Sequence, residues 1–325
     1  MKIRSVDHCD VTVLVDNVTD ILSTIPKSVT GHIANVFKAG AKEVSGECLC
    51  CAHWGLSLVV TVQFGPAKHT LLFDSGPEGY TVERNGNRVG IDFASIDVAM
   101  FSHGHWDHVG GMTKALKLIY DANGGKKIPV HVNDGMFIRR GGKRSEDGPI
   151  IPHKELPSKD ELEAAGGEVI SAEEARTLRE ETFYISGEIP RVTPYEKGLP
   201  GHMKDVGAGW EPDPWIMDER YAAVHVKGKG IVVFTACSHA GVINVLTNAR
   251  EVFDPVPLYG VMGGFHLSGA ACEAIIPETI EDLKPFNLKM IVPGHCTGWR
   301  AFHKLVETFG EDSVVPSAVG QSHQF

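Results

Sequence analysis

The stretch "SHGHWDHVGG", residues 102–111, sets His103, His105, Asp107 and His108 within six positions. It follows directly on the apolar run "IDVAMFS", residues 96–102, which reads as a β-strand. At the end of an extended segment, side chains two apart leave on one side, so the His103 and His105 rings point together. Asp107 and His108 come next, as the chain turns. Neutral imidazole and carboxylate are ligands that zinc prefers and that iron and manganese accept. Two ligand pairs this close serve two ions held a few ångströms apart. A lone histidine here would read as a solvated loop residue; the full set at a strand end reads as a metal site. Gly110 and Gly111 are expected to let the backbone turn tightly behind it. Trp106 replaces no ligand and is expected to pack against a wall or lid of the site.

Outward from this stretch, short β-branched runs recur. "VTVLV" at 11–15, "LSLVVTVQF" at 56–64 and "HTLLFDSG" at 69–76 precede it. "MTKALKLIYDAN" follows as a helix, with Met112, Leu116, Leu118 and Ile119 for a buried face. "VHVND" at 130–134 reads as a strand, and "SKDELEAAGG" as a helix with a Ser cap, an acidic first turn and a Gly stop. The last third is regular again. "RYAAVHVKGKGIVVFTAC" gives two strands joined at Gly-Lys-Gly. Helices at "AGVINVLTNAREVF", "CEAIIPETIEDLKPF" and "WRAFHKLVETFG" alternate with strands at "PLYGVMGGFH" and "LKMIVPGH". Each half runs strands first and helices after, which fits two packed sheets with helices outside. Turn-rich segments around 135–160 and 192–219 interrupt the pattern as inserted loops. Trp210 and Trp215 make the second an ordered lid by this reading. The whole of 1–325 is expected to be one domain.

Composition narrows the class. With 42% hydrophobic and 22% charged residues the chain has the makeup of a globular protein. A formal net charge of −10 argues against nucleic acid as a partner and favours a small-molecule substrate. No apolar stretch approaches the length of a membrane span, and "MKIRSVDHCDVTVLVDN" has no signal-peptide pattern. The seven cysteines show no disulfide framework. A cytoplasmic protein without membrane partners is expected, and its oligomeric state is left open.

H-x-H-x-D-H after an apolar strand, with "LLFDSG" upstream and "IVVFTACSHAG" and "MIVPGHCTG" downstream, resembles the metallo-β-lactamase fold superfamily. With "GEIPR", "CSHAG", "GGFHL" and "PGHCTG" the chain is similar to a branch of metal-dependent hydrolases that includes the dihydropterin ribofuranosylaminobenzene phosphate synthases. The resemblance runs from about the first strand to the final helix. It implies an α/β (α+β) fold, a four-layer αββα sandwich with metals at one edge. It also implies His103 and His105 on a first metal, Asp107 and His108 on a second, His295 completing the second site, and Asp74 supporting the metal-binding loop. Where many members carry a bridging Asp after a strand like "IVVFT", this chain has Cys237, Ser238 and His239. His239 is the preferred ligand, with Cys237 as second choice or support. Glu188 and His202 both remain open for the remaining position. The branch usually carries Glu-His-Gly-Leu-Ser where this chain has His53-Trp54-Gly55-Leu56-Ser57. If that loop touches substrate, the substrate differs from the pterin precursor.

Other residues invite a role. His266 in "GGFHLSG" follows two glycines and is a candidate proton donor, ligand or substrate contact. Cys48, Cys50, Cys51 and His53 crowd "CLCCAHWGLS", where structural or incidental thiols are favoured. Arg139, Arg140, Lys143 and Arg144 offer an anion site, against the default of a solvated basic loop. The expected function is a metal-dependent hydrolase. Two divalent ions, zinc first with manganese or iron as alternatives, would deliver a metal-bound hydroxide to an ester, lactone, phosphodiester or activated ether. Asp107 would hold its metal and orient the nucleophile. The competing readings are an iron-dependent, oxygen-using enzyme and a non-catalytic metal-bearing sensor or partner subunit.

Overall fold

The computed structural model describes residues 3–143 and 145–325; Arg144 of the basic cluster lies outside the described residues. An eight-stranded sheet runs in the order Gly167–Ser171, Ile128–Val132, Val98–Met100, Ala67–Phe73, Ser57–Phe64, His8–Val15, Ser322–Gln324 and Val29–Thr30. A seven-stranded sheet runs Arg176–Leu178, Phe183–Ile185, Ala222–Val226, Gly230–Thr235, Leu258–Gly263 and Met290–Pro293, with Ser5–Val6 pairing beside Ala222–Val226. The chain crosses between sheets at both ends, since Ser322–Gln324 returns to the first sheet beside the opening strand.

Strict alternation explains the layering. Along 57–62, Leu58, Val60 and Val62 enter the space between the sheets while Val59 faces outward, and Leu71, Leu72 and Phe73 repeat the pattern. In the second sheet, Val232, Phe234, Met262 and Val292 point inward, and Ile231, Val233, Val261 and Ile291 point out. Each sheet is therefore apolar on both faces and needs helices outside it. Gly79–Val89, Met112–Ala122 and Lys159–Ala164 cover the first; Val242–Phe253, Ile276–Leu283 and Trp299–Phe309 cover the second. The result is the αββα sandwich.

Two helices have no strong sequence signal. "GYTVERNGNRV" carries Gly86 and two asparagines, poor helix formers, yet spans Gly79–Val89. Gly86 lies against the Phe93 ring, where a Cβ would collide, and Asn85 ties the helix to the Leu14 and Cys51 carbonyls. Tertiary packing overrides propensity here. His32–Lys38 is the second. The expected long helix "CEAIIPETIEDLKPF" instead breaks into Ala270–Glu273 and Ile276–Leu283, with Pro277 in the first turn of the latter.

The interrupting segments are not separate loops. Arg140–Gly142 and Ile151–Pro152 from the first, and His202–Asp205 and Trp210–Pro212 from the second, form one four-stranded sheet. Its register pairs His202 with Gly142 and Lys204 with Arg140. Trp215 is 40% exposed and Trp210 half-buried, so buried aromatic payload is not what orders this cover; strand pairing is. No helix among the described residues is long and apolar enough to cross a membrane.

Candidate metal centre

Parallel strands that end together set the site. Ala67–Phe73 and Val98–Met100 pair in parallel in one sheet, as do Gly230–Thr235, Leu258–Gly263 and Met290–Pro293 in the other. Just past these carboxyl ends come Asp74, His103, Cys237, His266 and His295. Open α/β sheets bind ligands in this crevice because strand ends deliver side chains there on short loops. The backbone is left-handed at Asp74 (φ 57°), Ser238 (59°), His266 (42°) and His295 (46°). Non-glycine residues in this region store strain and concentrate at functional sites.

The HxHxDH loop is tightly seated. His105 precedes the short helix Trp106–Val109, on which Asp107 and His108 turn inward. Asp74, fully buried, accepts from the Ser102 N–H at 2.8 Å, the Ser102 Oγ at 2.6 Å and His108 Nδ1 at 2.9 Å. Gly104 donates to Asp218 at 2.8 Å, and the Arg140 guanidinium, ion-paired to Asp218, donates to the Gly104 carbonyl at 3.0 Å. A Cβ on Gly104 would run into Arg140 and the Met136 carbonyl, so glycine is required for closeness. Gly110 and Gly111 have φ of −60° and −88°, open to any residue. The Pro77 and Ser75 carbonyls, not turn geometry, exclude a side chain there.

The hydrogen bonds fix three tautomers. The single Ser102 hydroxyl proton goes to Asp74, so Ser102 Oγ accepts from His103 Nδ1 at 2.9 Å. His108 Nδ1 donates to Asp74, and His202 Nδ1 to the Asp213 carbonyl at 2.9 Å. All three rings therefore keep Nδ1 for the acceptor behind them and turn Nε2 into the site, as outer-shell acceptors do for metal-binding histidines. His105 lies between two of them: Nδ1 is 2.9 Å from His103 Nε2 and Nε2 is 2.9 Å from His202 Nε2. Burial holds His105 and His103 well below the ordinary imidazole pKa, so both rings are neutral. A neutral ring has one N–H and can satisfy only one of those neighbours.

The remaining donors close around this row. His108 Nε2 is 3.2 Å from Cys237 Sγ, and Asp107 Oδ2 stands 3.7 Å from His108 and 3.5 Å from His295 Nε2. His239 lies with its ring centroid 4.9 Å from His103 and 5.0 Å from His105. Both ring nitrogens of His239 and of His295 are buried without a partner among the described residues. Such orphaned nitrogens are costly unless something binds them. Donor atoms of His103, His105 and His239, and of His103, His108 and Cys237, lie within 4.8 Å of one another. Crowded lone pairs, orphaned imidazoles and an N/O/S donor set fit divalent metal, and the arrangement has room for two groupings that share His103.

Electrostatics follow from the same geometry. Burial alone would raise the Asp107 pKa, but His108 and His295 outweigh it and hold the carboxyl well below the usual range. Burial would lower His108, yet Asp107 and Asp74 lift it to about 9. His266, with its ring 4.6 Å from His239, is pulled down by burial but raised to about 10 by Cys296 and Cys272.

The sequence candidates fall out unevenly. His103, His105, Asp107, His108, His239 and His295 converge, with Asp74 behind them and His266 beside His239. Cys237 and His202 both reach the cluster, while Glu188 is exposed on the loop after Phe183–Ile185. Arg140 is no anion site: it is buried and paired to Asp218 and Asp213. Arg139 pairs with Glu155 and Asp205, and Lys143 Nζ donates to the Glu146 carbonyl at 3.5 Å. Trp106 lines a cavity with Phe137, Ile138 and His153. Of the thiol cluster, Cys50 and Cys51 lean on Asn85 and are free thiols.

Sequence reasoning missed His153, whose ring is 5.9 Å from those of His105 and His202. One histidine in "IIPHKELP" carries no spacing signal. It also missed Asp16 and Glu219, which accept from backbone amides behind His295 and His239.

No family model matches the chain. It is 28% identical over 260 residues to a 7,8-dihydropterin-6-methyl-4-(beta-D-ribofuranosyl)-aminobenzene-5'-phosphate synthase of Methanocaldococcus jannaschii, covering 79% of this chain and 85% of that protein. An uncharacterized protein of the same organism is 30% identical over 235 residues, covering 72% of this chain and 82% of the relative. Among solved structures, Tm1679, a metal-dependent hydrolase of the beta-lactamase superfamily, superposes with a TM-score of 0.71 at 20% identity over 97% of this chain and 98% of that one. The metallo-beta-lactamase fold protein YhfI from Bacillus subtilis gives 0.51 at 12% identity over 98% and 100%.

Proposed function

We propose that this chain, which belongs to the metallo-β-lactamase fold superfamily, is a hydrolase that uses two divalent ions, zinc foremost, to cleave an ester, lactone, phosphodiester or activated ether of a small molecule. The observation that carries this reading is the row of Nε2 atoms from His103, His108 and His202, set by acceptors behind them and facing His239, whose ring nitrogens have no hydrogen-bond partner among the described residues, and His295 beside the Asp107 carboxylate. His103, His105, His202 and His239 would hold one ion, and Asp107, His108, Cys237 and His295 the other. When bound, such ions lower the pKa of a water and polarise the scissile group.

The chain's own residues supply the rest. Asp107, kept ionised, holds and orients the attacking water through its carboxylate. His266 carries a proton beside His239 and is suited to protonate the leaving oxygen. The pairing of Arg140 with Asp218 stiffens Gly104, so the two histidines flanking it keep their spacing.

A second reading has a specific support, the 28% identity to a synthase. The acceptor of the transferred group would then be a second substrate and not water. Elemental analysis of the purified chain, with a screen of esters, lactones and phosphodiesters in 18O-water, tests both. Close to two zinc or manganese ions per chain and label in the product are expected. Turnover only with an added nucleophile, and no label, supports the synthase-like reading. Stoichiometric iron with oxygen consumption overturns both. His103→Ala and His108→Ala should each lose metal and lower kcat/KM by more than about 100-fold, beyond the range for outer-shell changes.

A further inference from the structure

Beside His295 lies a cavity of about 460 Å³ lined by Trp54, Trp299, Phe302, Val18, Pro293 and Pro316 together with small polar residues. We propose that it binds the neutral aromatic part of the substrate; this rests on the functional reading above and names the substrate class it acts on.

Three observations carry the inference. The cavity adjoins the donor cluster, because His295 belongs both to its wall and to that cluster. The Trp54 ring lies 5.1 Å from the His295 ring, centre to centre. The lining itself holds no Lys, Arg, Asp or Glu, and the Arg300 guanidinium lies over the Trp299 ring, 4.8 Å from its centroid. Apart from His295, its polar side chains each have a partner elsewhere. Asn17 Nδ2 donates to the His295 carbonyl at 3.0 Å, Ser268 Oγ to the Cys296 carbonyl at 3.0 Å and Ser317 Oγ to Asp16 at 2.7 Å. Thr297 Oγ1 accepts from the Phe265 N–H at 3.1 Å. What remains for a ligand is apolar surface and aromatic faces.

Much of that aromatic surface is exposed, although Arg300 lies over the Trp299 ring. Trp299 is 67% exposed and Trp54 46%, although large aromatics are normally buried for most of their area. The volume falls in the range of small-molecule pockets, about 300–1,000 Å³, and suits a bicyclic ring. The cavity on the His153 side differs in kind. At about 420 Å³ it is lined by Arg139, Lys154, Glu155 and Lys159 alongside apolar side chains, whereas the cavity beside His295 has no such charged lining.

Calorimetric titration of the purified full chain with 2-naphthol and with 2-naphthalenesulfonate tests this. Naphthol should saturate one site per chain and bind at least about tenfold tighter than the sulfonate, which must desolvate its charge. Trp299→Ala and Trp54→Ala should each weaken naphthol binding about tenfold or more with metal content unchanged. For any ester that turns over, an aryl substrate should show the same loss in KM with kcat little altered. No saturable naphthol binding, or binding indifferent to both substitutions, overturns the proposal. A concentration-dependent dimer dissolved by Trp299→Asp overturns it too, assigning the face to a second copy. Naphthol binding lost on Trp299→Ala without hydrolysis of any ester upholds the pocket and sinks the hydrolase reading alone.

Discussion

The two walls of the metal centre hold their ligands by different means. On the wall built from residues 74–108, carboxylate and hydroxyl grip the imidazole rings: Asp74 holds His108 directly and His103 through Ser102. On the wall built from residues 237–295, carboxylates grip the backbone. Glu219 accepts from the His239 and Ala240 N–H groups, both at 2.7 Å, and Asp16 from the His295 N–H at 3.0 Å, while no carboxylate or hydroxyl grips either ring at Nδ1. Left-handed backbone occurs on both walls, at Asp74 as at Ser238 and His295. A ring held at Nδ1 has its tautomer and orientation set before anything binds. A ring held only through its backbone has its position set and its rotation left to the ligand.

Breaking the first wall should do the most damage. Asp74→Ala leaves the Ser102 hydroxyl and N–H and His108 Nδ1 without their acceptor in a site with no solvent access. Removing one partner of a buried ionic network costs about 3–5 kcal/mol, and loss of an outer-shell acceptor about 10–100-fold in metal affinity. Urea unfolding and competition with a chromophoric chelator read the two effects. If both stay near wild type, the rings are not held as described.

This asymmetry also separates what could be read from the sequence from what could not. The first wall is local: His103, His105, Asp107 and His108 share six positions, so spacing exposes them, and the family resemblance adds Asp74 at the end of an upstream strand. Strand alternation likewise exposes both sheets, because each apolar side chain declares its layer. The second wall and its cover are assembled from afar. Asp16 reaches His295 across 279 positions and His202 meets His105 across 97, and neither neighbourhood has a periodic or paired signal. The small sheet pairs Arg-Gly-Gly with a segment some sixty residues later, where glycine gives no strand propensity to read. Cys237 is legible as second choice to His239, and His202 as an alternative to Glu188, but choosing His202 needs distance.

Breaking the second wall should cost less and differ in kind. Glu219→Gln keeps one carbonyl acceptor and puts an amide donor against a backbone N–H, so either the His239 or the Ala240 amide loses its partner. A charge-assisted bond of this sort is worth about 1.5–3 kcal/mol, and metal affinity should fall about tenfold. Asp16→Asn, which disturbs His295 and Ser317 together, should act similarly. The sharper readout is which ion leaves. Glu219→Gln should loosen the ion near His239, and Asp16→Asn the one near His295, by stepwise chelator titration. Equal loss of both ions from either variant would mean the walls are one unit.

Acid would release ions from both walls by protonating imidazoles, so the comparison holds only where the fold itself survives. Two histidines away from the site set that limit. Burial lowers His323 to about 4, and burial with Arg176 and Arg179 lowers His131 to about 4. Their unfolded value is about 6.5. Since the folded pKa is the lower one, the unfolded chain takes up protons first. Stability is therefore flat above about pH 6.5 and falls as pH drops towards about 4. Each group removes on the order of 1–2 kcal/mol between about pH 7 and pH 5. Neither His323 nitrogen has a partner among the described residues, so His323→Leu should flatten its share of the acid slope, with stability near pH 7 shifted by less than about 1.5 kcal/mol. Urea midpoints at the two pH values measure this. An unchanged acid slope would remove His323 as its source, and metal loss near pH 5 could then no longer be separated from unfolding by this variant.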